Sequence, residues 1–405
     1  MSMEVIRAEF VINTPMFLGE ADGECATLIR PPSIKGALRF WWRAMNWARV
    51  RKHCGSDQEA LAQLHQEEGL MFGESADTAA GTGGQGCFLL RVHQQQGLRV
   101  VGEEKNFAAR SPQLQYLLGM GLCHFRNGLL RDYLEAGGTF VVELALKPGI
   151  KDGQRQQLLD TLMCFGLLGC LGSRARKGFG SVSITRLIQA KGGSEQALAL
   201  PTDALSYKAE IKRLLGDCFK TDLGDAPLTA FSAKTRMQIG KHGRDALALL
   251  GEHGFEMGMY RGYGNSGKTF GRDAEQKFQF DHNWAYDVAN GTRKADLPKR
   301  AVFGLPHPYF LSGIKKNVAV DVDLAGTSVR RASPLFAHVH AFPDGDDFLL
   351  VQTLLRGLFL PSAASVKVKG EARFDISGSA ASSGAAWKVI ETFMDRFTSK
   401  DVIHG

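Results

Sequence analysis

The stretch RPPSIKGALRFWWRAMNWARV, residues 30 to 50, reads as one amphipathic helix, and the segments on either side decide what that helix belongs to. Pro31 and Pro32 cannot stand in a helix interior, whereas Ser33 carries a hydroxyl suited to an N-cap, so the helix is expected to begin at Ser33. At about 100° per residue, Ile34, Leu38, Trp41 and Met45 share one face, and Lys35, Arg39, Trp42, Arg43 and Asn46 share another. The first face is suited to packing on a sheet. The second either grips a ligand or faces water.

Upstream, EVIRAEFVIN (4 to 13) alternates with period two and is rich in Val and Ile, as a strand is. Downstream, the glycine-rich GESADTAAGTGGQG (73 to 86) runs straight into the strand-like CFLLRV, which makes it a loop inside a domain rather than a linker. GGTFVVELAL (137 to 146) is a further strand, QRQQLLDTLMCFGLLG (154 to 169) a helix and GSVSITRL (180 to 187) a closing strand. Strand, helix, strand, strand, helix, strand is the split βαβ order of a ferredoxin-like fold. The expected class is α+β, with a first ferredoxin-like domain over 1–190 and AKGGSEQALALPTD (190 to 203) as linker. A second α+β domain of similar kind is expected over 191–405, carrying a helical and loop insertion at about 204–300. Its strands are placed at NVAVDVDL, LFAHVHAF and FLLVQTLLRGLFL, and AAWKVIETFMDRF closes the chain as a helix; no internal repeat is visible.

Length and composition agree with two ordinary cores. The 405 residues exceed one domain, and seven cysteines, odd in number and without a C-x-x-C pair, read as reduced thiols of a cytoplasmic protein. His53 beside Cys54, and His338 with His340, are the pairs a metal would use, but no partner cluster is near them in sequence, so no metal or cofactor is expected. No run of about 18 apolar residues and no leader pattern is present, so neither export nor a membrane span is expected. The net charge of +7 leans weakly toward an anionic partner.

Two loops carry sharper signals. In RGYGNSGKTF (261 to 270), Gly262, Gly267, Lys268 and Thr269 fit the phosphate-loop spacing G-x-x-x-x-G-K-[ST]. HGFEMGMYR on its N-terminal side is no buried strand, and FGRDAEQKFQFDHNW on its C-terminal side lacks an apolar helical stripe, so a nucleotide hydrolase is not expected. Arg261, Lys268, Arg272 and Lys277 alternate there with Tyr260, Tyr263, Phe270 and Phe278, which suits either a solvated loop or one that touches nucleic acid. In GCLGSRARKGFGSV (169 to 182), glycines at 169, 172, 178 and 180 permit close backbone approach while Arg174, Arg176 and Lys177 supply charge. A plain helix-to-strand connection is the alternative.

TPMFLGEADGE (14 to 24), RPPSIKGALRFWWRA, GCLGSRARKGFGSV, FGLP (303 to 306) and RRASPL (330 to 335) together resemble the RAMP superfamily of CRISPR proteins. More narrowly they are similar to the large two-domain subunits of type III-B (Cmr) RNA-guided effector complexes. The resemblance implies two ferredoxin-like domains and a non-catalytic subunit at the filament end that holds the 3′ part of the guide. Its implied partners are CRISPR guide RNA, complementary target RNA and other Cmr RAMP subunits. Carried onto this chain, it implies that Ser33, Lys35, Arg39, Trp42 and Arg43 face RNA, with Trp42 the leading base-stacking residue, and that Arg174, Arg176 and Lys177 clamp its backbone. Arg330 and Arg331 either extend that track or fix backbone carbonyls at a domain interface. Glu20 departs from the pattern, since an acid in that turn repels phosphate unless paired. Three rivals stand beside this reading: an endoribonuclease using Asp22, a metal-free guide-processing ribonuclease needing a poised histidine, and a protein-binding scaffold with little RNA contact.

Overall fold

A computed structural model describes residues 4–20, 24–77, 82–102, 107–108, 111–119, 121–124, 126–264, 267–343, 345 and 347–405. The first strand, β1 (Val5–Ile12), buries Ile6, Ala8, Phe10 and Ile12, as its period-two pattern demands. After it come α1 (Pro31–Arg51), α2 (Asp57–Phe72), β2 (Phe88–Gln96), α3 (Pro112–Leu118), β3 (Thr139–Leu146), α4 (Asp152–Leu168) and β4 (Val182–Lys191). They form an antiparallel sheet in the order β4-β1-β3-β2, with a short strand Ser194–Ala197 outside β4. That order is the ferredoxin-like split βαβ, α1 and α4 being the two crossover helices.

The remainder contains α5 (Ala204–Lys220), β5 (Arg236–Gly243), α6 (Ala246–Arg261), α7 (Gln279–Ala289), β6 (His307–Leu311), β7 (Lys316–Leu324), β8 (Leu335–Ala341) and β9 (Phe348–Leu354). It ends with β10 (Ala364–Lys369), β11 (Arg373–Ser377), α8 (Lys388–Met394) and β12 (Asp401–His404). A second sheet runs β8-β9-β5-β12. With α6 and α8 as crossovers, it repeats the topology of the first, although no repeat is visible in the residues. The fourth strand of this unit is the one the sequence does not announce: the closing helix stops at Met394, and four residues, DVIH, return to cover the open side of β5. The strand expected at NVAVDVDL belongs elsewhere, as β7 in a separate antiparallel layer ordered β6-β7-β10-β11.

Neither core stops at the middle of the chain. Helix α5 lies on α1 and α4, where the Tyr207 hydroxyl donates to the Leu167 carbonyl at 2.7 Å and Ile211 and Leu215 are buried. Met237 and Val351 of the second sheet share that apolar cluster with Phe10 of the first sheet and Trp42 of α1. Conversely Phe17 and Phe179, from the first half, lie in the cluster built around α6 and the outer layer.

Alongside β4, β8 is held by side chains. The Ser181 hydroxyl accepts the Val339 N–H at 3.0 Å and the Ser183 hydroxyl accepts the Ala341 N–H at 2.8 Å, so buried donors of β8 are satisfied. Asn13 Nδ2 donates to Ser183 Oγ and to the Val339 carbonyl. His338 and His340 are buried in this same seam, where desolvation drives both imidazoles down, His338 to about 3, and keeps them neutral. Among the described residues no group of three or more His, Cys, Asp or Glu side chains is placed to hold a metal.

Candidate nucleic-acid interface

Helix α1 starts at Pro31, two residues before Ser33. Arg30 is the cap residue, and Pro31 and Pro32 occupy the first turn, where their fixed φ suits the helix and no backbone donor is lost. Ser33 is therefore inside the helix, half-buried, its N–H donating to the Arg30 carbonyl at 3.0 Å.

The polar face expected of α1 is largely used by the protein itself. Trp42 is fully buried, edge-on to Phe72, with its indole N–H donating to Gln157 at 3.0 Å, so the expected stacking face is not available to a base. Arg39 and Arg43 converge on one carboxylate, Glu68 of α2, at 2.5 and 2.6 Å, and Glu68 is almost wholly buried. A second helix thus covers a face that helical periodicity alone leaves open. Lys35 remains half-exposed with no ion pair among the described residues. Its ammonium is lowered by burial and then by Arg39.

The glycines of the 169–182 loop do admit close approach, but to protein. A Cβ on Gly169 would meet the Phe165 carbonyl at 2.2 Å, one on Gly172 the Phe17 carbonyl at 2.5 Å, and one on Gly180 the Leu171 carbonyl at 2.0 Å. Gly178 faces Leu250 of α6. With φ of 82°, 85° and 66° at Gly172, Gly178 and Gly180, the loop is wound tightly against its own body.

Its cations divide accordingly. Arg176 donates to the Ser333 carbonyl and lies over the Phe336 ring at 4.6 Å and the Phe40 ring at 5.7 Å. Burial, helped by Arg331, lowers its guanidinium to about 10. Arg331 donates to the carbonyls of Phe359 and Ala332, both at 2.7 Å, so of the two roles weighed for it the carbonyl-fixing one is realised. Arg174, Lys177 and Arg330 have no carboxylate partner among the described residues. Arg174 is exposed, and its guanidinium also donates to the Leu118 carbonyl at the end of α3. Arg330 is exposed beside it, close enough to depress the Arg174 guanidinium. Lys177 is lowered to about 7 by burial, then by Arg261 and Arg174.

One half-buried aromatic pair is not foreseen in the sequence. Phe40 and Phe336 are half-buried with rings 5.7 Å apart, and with Arg176 they line a small depression of about 160 Å³ between α1 and the glycine-rich loop. Only the fold brings them together, since they lie in different halves of the chain.

The other candidates resolve simply. A helix, α6, precedes Gly262, and Lys268 and Thr269 form a two-residue hairpin strand with Arg272 and Asp273, so the phosphate-loop spacing has neither its strand nor its helix. Tyr260 and Phe278 of that segment are buried. Glu20 is paired with Arg30 at 2.6 Å, which answers the repulsion expected of an unpaired acid. Asp22 lies outside the described residues. No described helix is long and apolar enough to cross a membrane.

Residues 9–183 match the sequence model of the RAMP superfamily. Over 313 residues, 76% of this chain and 75% of the relative, the sequence is 26% identical to CRISPR system Cmr subunit Cmr1-1 of Pyrococcus furiosus. The fold is similar over 99% of both chains to the crystal structure of apo Cmr1 from Pyrococcus furiosus, with a TM-score of 0.58 at 16% identity. It is also similar over 98% of this chain and 99% of the other, with a TM-score of 0.52 at 12% identity, to a chain in the cryo-EM structure of type III-B Cmr-beta bound to cognate target RNA. Over residues 9–183 the chain is thus similar to the RAMP superfamily, and over three quarters of its length to the Cmr subunit Cmr1-1, whose fold it shares.

Proposed function

We propose that this chain is a non-catalytic RNA-binding subunit of a type III-B CRISPR (Cmr) effector, placed at the end of the filament where the 3′ part of the guide lies. The likeness to a Cmr subunit over three quarters of the sequence supports membership of such a complex. The observation that carries RNA binding is the pair of cations Arg174 and Lys177 on the glycine-rich loop, with Arg330 beside Arg174, all three without a carboxylate partner among the described residues. Arg174, Lys177 and Arg330 take backbone phosphates, Lys35 adds charge from α1, and the Phe40–Phe336 pair offers an aromatic face. Ser33, Arg39, Trp42, Arg43, Arg176 and Arg331 build the surface that carries them. Such a surface reads no base, as a subunit serving variable guides requires, and leaves sequence to pairing between RNA strands.

Binding to a single-stranded RNA of mixed sequence, measured across a salt series, tests this role. At pH 6, where Lys177 is charged, the full chain binds with a salt slope that falls by roughly 0.7 for each phosphate contact removed, hence by about 2 in Arg174→Ala/Lys177→Ala/Arg330→Ala. Identical affinity and slope in wild type and triple variant would leave a scaffold as the better account. RNA recovered cut in the presence of Mg²⁺, and intact with Asp22→Ala, would overturn the non-catalytic assignment.

A further inference from the structure

A cleft of about 450 Å³ opens where the end of α6, α7 and the β6 hairpin meet, and none of its lining side chains is acidic. Its frame is fixed from below. The buried carboxylate of Asp281 accepts the Lys299 and Arg300 N–H groups at 2.8 Å each, the Arg300 guanidinium at 3.3 Å and the Tyr309 hydroxyl at 3.4 Å, so it ties α7 to the wall opposite. Arg300 is thereby neutralised, and its other nitrogen donates to the Arg261 carbonyl. Arg261 itself has no carboxylate, and its Nε, like His282 Nδ1, is buried without a hydrogen-bond partner among the described residues. Leaving such groups unpaired is expensive, and they are the sort of group a ligand satisfies.

The aromatic content of the cleft is as specific as its charge. Tyr263 and His282 lie face to face, centroids 3.9 Å apart and planes within 6°. Tyr286 and Phe310, 45% and 67% exposed, line the cleft. Exposed rings beside an unpaired guanidinium and without a carboxylate suit a π-faced anion: the rings take the face of a base and the guanidinium its phosphate. The cleft also continues the loop surface, since Arg261 is near enough to Lys177 to depress its ammonium, Lys177 lies close to Arg174, and Tyr116 of α3 lines the cleft two residues before the Leu118 carbonyl that holds Arg174.

We propose that this cleft is a second RNA site, taking one unpaired base of a single strand against Tyr286 and Phe310 with its phosphate on Arg261. The inference rests on the RNA-binding role proposed for the chain and extends it to a surface on the far side of the glycine-rich loop. Tyr286→Ala/Phe310→Ala removes only exposed side chains and leaves Asp281 and the Tyr263–His282 stack in place. In the full chain it should weaken binding of a mixed-sequence single-stranded RNA about tenfold without changing the salt slope, because stacking and not charge is lost. RNA carrying 4-thiouridine, photo-crosslinked to the wild type and mapped by mass spectrometry, should mark peptides containing 282–286 or 307–314. Wild-type binding with unchanged affinity in the double variant, and crosslinks confined to 33–43 and 169–182, would overturn the cleft alone, and would leave it to a protein segment. A wild type that binds no RNA would overturn both the cleft and the RNA-binding role.

Discussion

Lys177 is a lysine held where its charge is disfavoured. Burial, followed by Arg261 and Arg174, lowers its ammonium to about 7, and His253, lowered to about 3 by burial and then by Lys177, is itself kept neutral. In the unfolded chain the same group titrates near 10.4, so between about 7 and 10 the unfolded state binds more protons than the folded one. Stability contributed at this residue therefore rises with pH across that window. Urea unfolding at pH 7, 8, 9 and 10 should show Lys177→Met gaining on the wild type at pH 7, with the two converging by pH 10; a constant gap would mean that Lys177 titrates normally. Trp42 makes the complementary residue-scale case. Its indole fills the core and is satisfied by Gln157, so Trp42→Ala should cost about 3 to 5 kcal/mol, and Trp42→Phe only about 1 to 2, mostly the stranded amide. Folded Trp42→Phe should keep wild-type RNA affinity. A loss of affinity at unchanged stability would return Trp42 to the interface.

At the scale of elements, local pattern identified many of the strands and helices, though not α2 or β12, and left open what lies against them. Period two at 4 to 13 and the apolar run at 137 to 146 identify β1 and β3, because strands buried on a sheet have no other way to alternate or to exclude polar residues. The same logic finds α1 but misassigns its polar face. Whether Arg39 and Arg43 meet phosphate or Glu68 depends on where α2 packs, and no periodicity within α1 contains that information. Removing the carboxylate tests the assignment: Glu68→Ala strands two half-exposed guanidiniums beside an apolar void and should cost about 2 to 3 kcal/mol, less than a fully buried pair because water still screens the arginines. The glycine-rich loop shows the same division. Its composition predicts close approach and positive φ, both of which occur, but the atom approached at Gly172 is the Phe17 carbonyl. Gly172→Ala should lower the thermal midpoint by several degrees, through about 1 to 2 kcal/mol of left-handed strain plus a displaced carbonyl; an unchanged midpoint would mean that the loop yields.

Across the whole molecule, one ferredoxin-like topology occurs twice in a chain whose halves show no repeat in sequence, since strand order is set by burial and connection rather than by particular residues. The halves are not independent, however. The first sheet runs past the boundary expected near 190, through the strand Ser194–Ala197, and α5, the next helix, buries Tyr207, Ile211, Leu215, Cys218 and Phe219, Tyr207 against the end of α4 and α5 as a whole along α1 and α4. At about 2 kcal/mol for each large apolar side chain, that cover contributes on the order of 10 kcal/mol, comparable to the whole net stability of a typical domain. A fragment of residues 1–198 should therefore lack a cooperative thermal transition and bind a hydrophobic dye, whereas the full chain unfolds in one step. The seam adds to this coupling: Ser183→Ala in the full chain unpairs the buried Ala341 N–H and should cost about 1 to 3 kcal/mol without splitting the transition. A sharp melt of 1–198 alone would show that the first sheet and its two helices suffice, and that α5 covers a face able to remain in water.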